Sequence, residues 1–325
     1  MKTTKLGQFI REKREKLNLS RKEFSEKMDE NDRISASTIG QIETGWIKRP
    51  PLNRLRQFAK ILGVSVQKLK NLLIAITTST VIAWFSAGAT SAVACKLAIE
   101  KYGADNVKIL CIDPGTASKP DNLRFMQQCQ KLYSRIAGKK VVIDTVKNEQ
   151  GFNDHWEVIK KVRFIKSPKG CPCTRILKRE VNDLIFSLIP NVKKEIFGYD
   201  NSECKRCQDF QARNPDRKVE TPLIENGLSK ANCFWILKSL GIDLPENYNS
   251  FCNNNCVGCP KGGAGYWNTV RKTNPEAFNR MAKLEREIGH AILKTTRKGK
   301  KVKVFLDELD PNAGIFPEPI KPIKP

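Results

Sequence analysis

The sequence predicts two fold classes in one chain: a small all-α domain, then an α/β domain on a mostly parallel, doubly wound sheet with helices on both faces. Three observations predict this. Residues 4–73 divide into five short runs whose apolar residues recur at helical spacing. A continuous apolar run, Val81-Ile82-Ala83-Trp84-Phe85, then breaks into Ser86-Ala87-Gly88-Ala89-Thr90-Ser91 and an alanine-rich helical pattern to Tyr102. Beyond it, apolar runs alternate with helical ones, as parallel strands joined by crossover helices require. The expected boundaries are 1–73, 78–292 and a basic, proline-rich tail over 293–325.

In the first domain, Leu6, Phe9, Ile10, Arg14 and Leu17 trace one helical face, and Asn18-Leu19-Ser20 supplies the N-cap for Arg21 to Met28. Ser35 or Ser37 caps a third helix through Glu43, which Gly45 stops. Pro50-Pro51 opens a fourth through Leu62, and Ser65 caps a fifth. Ile10-Arg11-x-x-Arg14, Leu19-Ser20-Arg21-x-x-Phe24-Ser25, Ser37-Thr38-Ile39-x-x-Ile42-Glu43-x-Gly45 and Leu55-x-x-Phe58-Ala59-x-Ile61-Leu62-Gly63-Val64-Ser65 together resemble the helix-turn-helix domains of the phage repressor and Cro-like family. The resemblance implies that Ala36 to Gln41 enters the DNA major groove, with Ser37, Thr38 and Gln41 reading base edges. It implies phosphate contacts from Arg21, Lys22, Lys48 and Arg49, and a homodimer on paired half-sites. The segment to Leu73 has 17 basic and 8 acidic residues, which suits DNA. A protein-interaction bundle is the alternative. One departure is the acidic connection Asp29-Glu30-Asn31-Asp32-Arg33, longer than a tight turn.

A small-residue loop entering a helix exposes unpaired amide N–H groups and a partial positive charge, a cradle for phosphate or sulfate. Ser86, Thr90 and Ser91 add hydroxyls. No charged side chain occurs from Asn71 to Cys95, 25 residues, but Thr77 to Thr80 and the small-residue loop make a membrane span a poor fit. The next runs are Asn106 to Gly115 as a strand and turn, Asn122 to Ala137 as a helix and Val141 to Asp144 as a strand. Ligands of such sheets sit beyond the carboxyl ends of strands, where Ser86–Ser91 and Asp113-Pro114-Gly115 fall. A helix opens at Gly170-Cys171-Pro172-Cys173-Thr174-Arg175, and the spacing of Arg175 and Lys178 lets them bracket an anion. A strand over Glu195 to Tyr199 precedes Cys204-x-x-Cys207. Thr221 to Ile224 precedes a helix over Ser229 to Leu240, and Asn274 to His290 reads as an amphipathic helix. Lys294 to Lys301 is a basic run usable on a nucleic-acid backbone, Val302 to Leu306 reads as an edge strand, and the stretch from Pro311 reads as disordered.

Formal charge is +24 with pI near 9.7, spread along the chain, which points to a polyanionic partner. No apolar signal segment follows Met1, so the expected location is the cytoplasm and the expected state of the 11 cysteines is reduced. Clustered thiols then indicate zinc, an iron-sulfur cluster or redox chemistry. Cys256-x-x-Cys259 has ligand spacing, with Cys252 one turn earlier and Cys171 and Cys173 as a second group. Cys204-x-x-Cys207 reads as a redox dithiol or a zinc half-site. Cys95, Cys111, Cys129 and Cys233 stand singly in apolar runs, as core residues do. With only His155 and His290 present, a histidine-built zinc site or a Ser-His-Asp triad has little support.

Three blocks carry a second resemblance over residues 80 to about 290: Ser86-Ala87-Gly88-Ala89-Thr90-Ser91, Cys173-Thr174-Arg175-x-x-Lys178, and Cys256-x-x-Cys259 after Pro245. They resemble the phosphoadenosine phosphosulfate (PAPS) reductase family, among the adenine-nucleotide hydrolases with a pyrophosphate-binding PP-loop, in its phage-type members. That resemblance implies that ATP, PAPS or a related adenine nucleotide is the substrate. Its phosphate or sulfate would lie against Ser86, Ala87, Gly88, Ala89, Thr90 and Ser91, and its adenine near backbone from Asp113 to Gly115. Arg175, Lys178 and Cys173 would be catalytic. A 4Fe-4S cluster, with zinc as alternative, would sit on Cys173, Cys252, Cys256 and Cys259, with Cys171 as substitute. Ala87 replaces a family glycine, and Thr90 stands where many relatives have Asp, so a carboxylate for magnesium-assisted cleavage is missing there. PAPS reduction also uses a cysteine near the C-terminus, and none follows Cys259. The expectation is therefore an enzyme of nucleotide-linked sulfur chemistry, a sulfurtransferase or nucleic-acid modifier ahead of a sulfonucleotide reductase, served by a sulfur or electron donor protein. The alternative is a transcription regulator that senses a nucleotide or redox state without turnover.

Overall fold

The computed structural model describes residues 3–47, 50–74, 81–115, 120–168, 170–189, 192–297, 300–316, 318 and 320–325. Five helices build the first domain: α1 (Lys5–Lys16), α2 (Arg21–Glu26), α3 (Ala36–Glu43), α4 (Leu52–Leu62) and α5 (Val66–Ile74). Their starts follow the expected caps. Ser20 closes a capping box with Glu23, Ser35 and not Ser37 accepts from the Thr38 amide, and Ser65 accepts from Lys68. Leu6, Ile10, Phe24, Ile39, Ile42, Phe58 and Leu69 form the core.

A buried ion cluster locks this core to one arrangement. Glu43 of α3 is fully buried, and its carboxylate accepts from Arg14 Nε at 2.6 Å and from Arg21 Nε at 2.8 Å, so one side chain ties three helices. Gly7 permits α1 to cross α3, since a Cβ there would stand 2.5 Å from the carbonyl oxygens of Ile42 and Glu43. The acidic connection coils into a 3-10 turn over Glu30–Asp32 and is held by α4: Asp29 accepts from Gln57 and Lys60, and Asp32 from Asn53.

The second domain carries a five-stranded sheet in the order β3-β2-β1-β4-β5, all parallel: β1 (Val81–Trp84), β2 (Val107–Ile112), β3 (Ile143–Val146), β4 (Lys194–Ile196) and β5 (Val219–Glu220). Its crossovers include α6 (Ala89–Tyr102), α7 (Asp121–Ala137), α8 (His155–Val162), a first turn α9 (Pro172–Thr174) and α10 (Glu180–Leu188). Then come α11 (Cys204–Arg213), α12 (Pro222–Glu225) and α13 (Lys230–Ser239). Alternate strand residues serve opposite faces, as the pleat requires. Val81, Ala83, Ile109 and Ile143 pack with α6, α7 and α13, while Ile82, Trp84 and Leu110 meet Val181 and Ile185 of α10. Both faces are therefore covered. The third strand starts two residues later than expected, the fourth is shorter, and β5 has no counterpart in the sequence reading. The expected core cysteines Cys95, Cys111, Cys129 and Cys233 are all buried.

A buried charge network joins the centre of this sheet. Glu195 of β4 is fully buried and accepts from Trp84 Nε1 at 2.9 Å and from Arg217 Nε at 2.5 Å. Arg217 also reaches Asn182 and Asp183 at the start of α10, and its guanidinium lies 4.6 Å from the Phe186 ring and 5.2 Å from the Phe210 ring.

A satellite core surrounds Trp267 and Met281 on α14 (Ala264–Thr273) and α15 (Pro275–Ile288), followed by an antiparallel ribbon, β6 (Leu293–Arg297) and β7 (Lys300–Val304). The ribbon replaces the expected loop and single edge strand. At its root the buried Glu285 carboxylate accepts from the Ile292 amide and, at 2.6 Å, from the Leu306 amide. Burial raises the Glu285 pKa from 4.5 to about 7 despite these donors. Its contribution to stability is complete below pH 4.5 and is lost as pH rises through 7, by about 3 kcal/mol in all. Urea midpoints at pH 5 and pH 8 should therefore differ less in Glu285→Gln than in wild type.

The proline-rich end is not a loose tail. Among its described residues, Ile320 packs against the main core, the Ile323 amide donates to Ala231 O at 3.1 Å, and Asn232 Nδ2 donates to Ile323 O. The expectation of disorder fails because apolar side chains alternate with the prolines and find a surface on α13.

Candidate functional site

Between β1 and β4 the strand order reverses, and the loops leaving both strands meet there. The β1 loop is held by its own small groups. Ser91 Oγ accepts from the Ser86 amide at 3.0 Å and donates to Gly88 O at 2.8 Å, so this hydroxyl shapes the loop. Ala87 adopts φ +57°, a left-handed conformation costing a non-glycine residue about 1–2 kcal/mol. Gly88 caps α6 without a side chain, and the Ala89 amide donates to Tyr248 Oη at 3.1 Å. The Thr90 and Ser91 amides complete the first turn and face the same end of the helix. Ser86 is exposed and Thr90 half-buried.

Gly198, beyond β4, is the residue that sequence reasoning passed over. A Cβ there would stand 2.6 Å from both Cα and N of Ser91, so only glycine lets the two loops touch. Its signal was a glycine straight after the apolar run Ile196-Phe197. At the end of β2, Asp113 is fully engaged: Oδ1 accepts from the Gly115 amide and Oδ2 from Lys147 Nζ, both at 2.8 Å. Gly115 has φ +86° and a Cβ would overlap Asn153 O. The turn is thus packed directly against the Asn153 backbone.

Cys171 and Cys173 share a hydrogen bond that draws the Cys171 thiol down and pushes the Cys173 thiol up, and Cys259 and Cys256 lie within electrostatic reach of Cys173. The Cys252 Sγ donates to Glu318 O at 3.7 Å. His155, set aside on sequence grounds, donates from Nε2 to Gly258 O at 3.1 Å inside the Cys256-x-x-Cys259 turn. Burial lowers its pKa to about 4, and its Nδ1 is buried without a partner. Four thiols from two segments are suitable donors for a 4Fe-4S cluster or zinc, and the orphaned Nδ1 beside them can take a further hydrogen bond. The side chains are not preset as a cage: among the described residues no three Cys, His, Asp or Glu groups already converge. Cys204 is exposed and Cys207 buried at the start of α11.

The helix after Cys173 passes through a π turn, Arg175–Arg179. A π turn holds an extra residue, so positions three apart no longer share one side as in an α-helix. Arg175 is ion-paired with Glu180 at 2.5 Å, whereas Lys178 lies within electrostatic reach of Cys111, Cys259 and His155. The cysteine segment and the β1 loop are joined directly: Asn254 Nδ2 donates to Ala87 O at 2.6 Å and to Asn122 Oδ1 at 2.7 Å.

In the first domain, Ile39 and Ile42 turn α3 inward, leaving Ser37 and Gln41 exposed one turn apart. Thr38 is half-buried with Oγ1 2.9 Å from Ser35 Oγ, and Arg21 directs its Nε at Glu43, so both serve the fold as well as the surface. Lys22 is exposed; Lys48 and Arg49 lie outside the described residues.

Residues 10–69 match the helix-turn-helix family.

The chain thus carries a DNA-binding helix-turn-helix domain, with α2 and α3 as its two named helices. No curated protein matches the chain. Trp46, just beyond α3, is 72% exposed, an apolar surface residue the sequence reading did not single out. Among the described residues no helix is long and apolar enough to cross a membrane.

Proposed function

We propose that this chain is a DNA-directed enzyme of sulfur chemistry that binds an adenine nucleotide in the crevice between β1 and β4, as PAPS reductase-like proteins do. The observation that carries the reading is the Asn254 bridge, which holds the Cys256-x-x-Cys259 segment against the loop suited to an anion. The Thr90 and Ser91 amides of α6 and the Ser86 and Thr90 hydroxyls receive phosphate or sulfate, and Lys178 balances its charge from the cysteine side. Cys171, Cys173, Cys256 and Cys259 hold the metal group, which when bound supplies an electron or sulfur relay if it is a 4Fe-4S cluster, or structural closure if it is zinc. Gly258 O, fixed by His155, sets the Cys256–Cys259 turn. A sulfurtransferase or DNA-modifying reaction stands ahead of sulfonucleotide reduction.

A second reading is supported by the engagement of Asp113 and Arg175 in ion pairs: a regulator that binds a nucleotide without turnover. One preparation separates the two. Anaerobically purified protein is expected to be brown, with broad visible absorbance that disappears in Cys256→Ser and Cys171→Ser and persists in Cys252→Ser. Colourless protein with stoichiometric zinc refutes the cluster and favours the regulator.

A further inference from the structure

We infer that the β6–β7 ribbon is a second duplex-DNA contact, separate from the helix-turn-helix and made to phosphates alone. The register pairs Leu293 with Val304, Lys294 with Lys303, Thr295 with Val302 and Thr296 with Lys301. Leu293 and Val304 are buried at the root, and beyond them every residue of described burial in both strands is exposed. Strand alternation puts Lys294, Thr296, Lys301 and Lys303 on one side, opposite the buried pair. Lys294 and Lys303 stand directly across from each other, where Cβ atoms lie about 4.5–5.5 Å apart and like charges repel. No acidic residue occurs from Ala291 through Phe305. Of the acids that flank this stretch, Glu285 is held by the Ile292 and Leu306 amides and Asp307 and Glu308 by Arg286, while Glu287 stands exposed four residues before Ala291.

A ribbon of this kind would be more stable with its lysines removed. A two-stranded hairpin is marginal by itself, yet this one is clamped at its root by Glu285 and projects three lysines with no acidic residue in either strand. Polyanion phosphates supply the missing charge, and a ribbon two strands wide fits a DNA groove. Duplex DNA is the partner because the same chain already carries a DNA-binding helix-turn-helix domain. The hydroxyl of Thr296 lies among the ammonium groups as a further phosphate donor.

The test uses the full chain and fluorescence anisotropy on two labelled 20-bp duplexes of unrelated sequence over a KCl series. Lys294→Ala/Lys301→Ala/Lys303→Ala should reduce the slope of log affinity against log salt by about 2.7, three phosphate contacts at about 0.9 each, and weaken both duplexes at least tenfold at 100 mM salt. Lys303→Glu, which turns the repulsion with Lys294 into attraction, should raise the thermal midpoint while lowering the salt slope. An unchanged slope in the triple variant overturns the inference. So does a lower midpoint in Lys303→Glu, which would make the lysines structural, or a slope change seen with single-stranded RNA and absent with both duplexes.

Discussion

Replacing Arg217 by alanine should lower the stability of the α/β domain by about 3–5 kcal/mol, because it strands the fully buried Glu195 carboxylate in the middle of the sheet. The same change frees Asn182 and Asp183 and removes the cation between Phe186 and Phe210. Trp84, hydrogen-bonded to Glu195, reports the loss through its fluorescence during urea unfolding. The paired variant Glu195→Gln/Arg217→Met should recover most of the stability, since removing both charges leaves neither uncompensated. If Arg217→Ala alone costs less than about 1 kcal/mol, the network is not what holds β4 against α10.

Gly198→Ala carries the second large effect, on binding more than on stability. The added methyl would stand 2.6 Å from the Ser91 backbone, and relief requires the β1 loop to move away from β4. Overpacking of this kind costs about 1–3 kcal/mol. Calorimetry should show adenine-nucleotide affinity falling at least tenfold, as the amides at the start of α6 lose their position. Full affinity in a folded variant would place the nucleotide elsewhere, whatever the fate of the cysteine group.

Much of this molecule was legible in its sequence, for reasons that can be named. The helix-turn-helix emerged because Ser20, Ser35 and Ser65 are local caps and the apolar period is strong; both signals act within a few residues. The parallel sheet emerged because β1 and most of β2 are apolar on both faces and helical runs separate the strands. What escaped depended on contacts across long stretches of chain. Gly7 and Gly198 matter only because another backbone passes within reach, and that backbone lies tens to more than a hundred residues away. The π turn at Arg175–Arg179 read in the sequence as ordinary helix. His155 read as an isolated histidine until Gly258 was placed against it. The ribbon was read as a charged loop, since alternation of lysine with threonine and valine over five residues does not distinguish a loop from an exposed strand.

The tail contacts have a consequence for synthesis. Ile320 and Ile323 complete the surface of a domain whose first strand begins at Val81, about 240 residues earlier. At ribosomal speeds of about 5–20 residues per second, that interval lasts roughly 10–50 s. The five-helix domain closes its core within residues 6–72, with nothing to wait for. The nascent chain therefore has a finished DNA-binding head while its α/β body is still open, and growing chains can reach DNA before the crevice that they carry has closed.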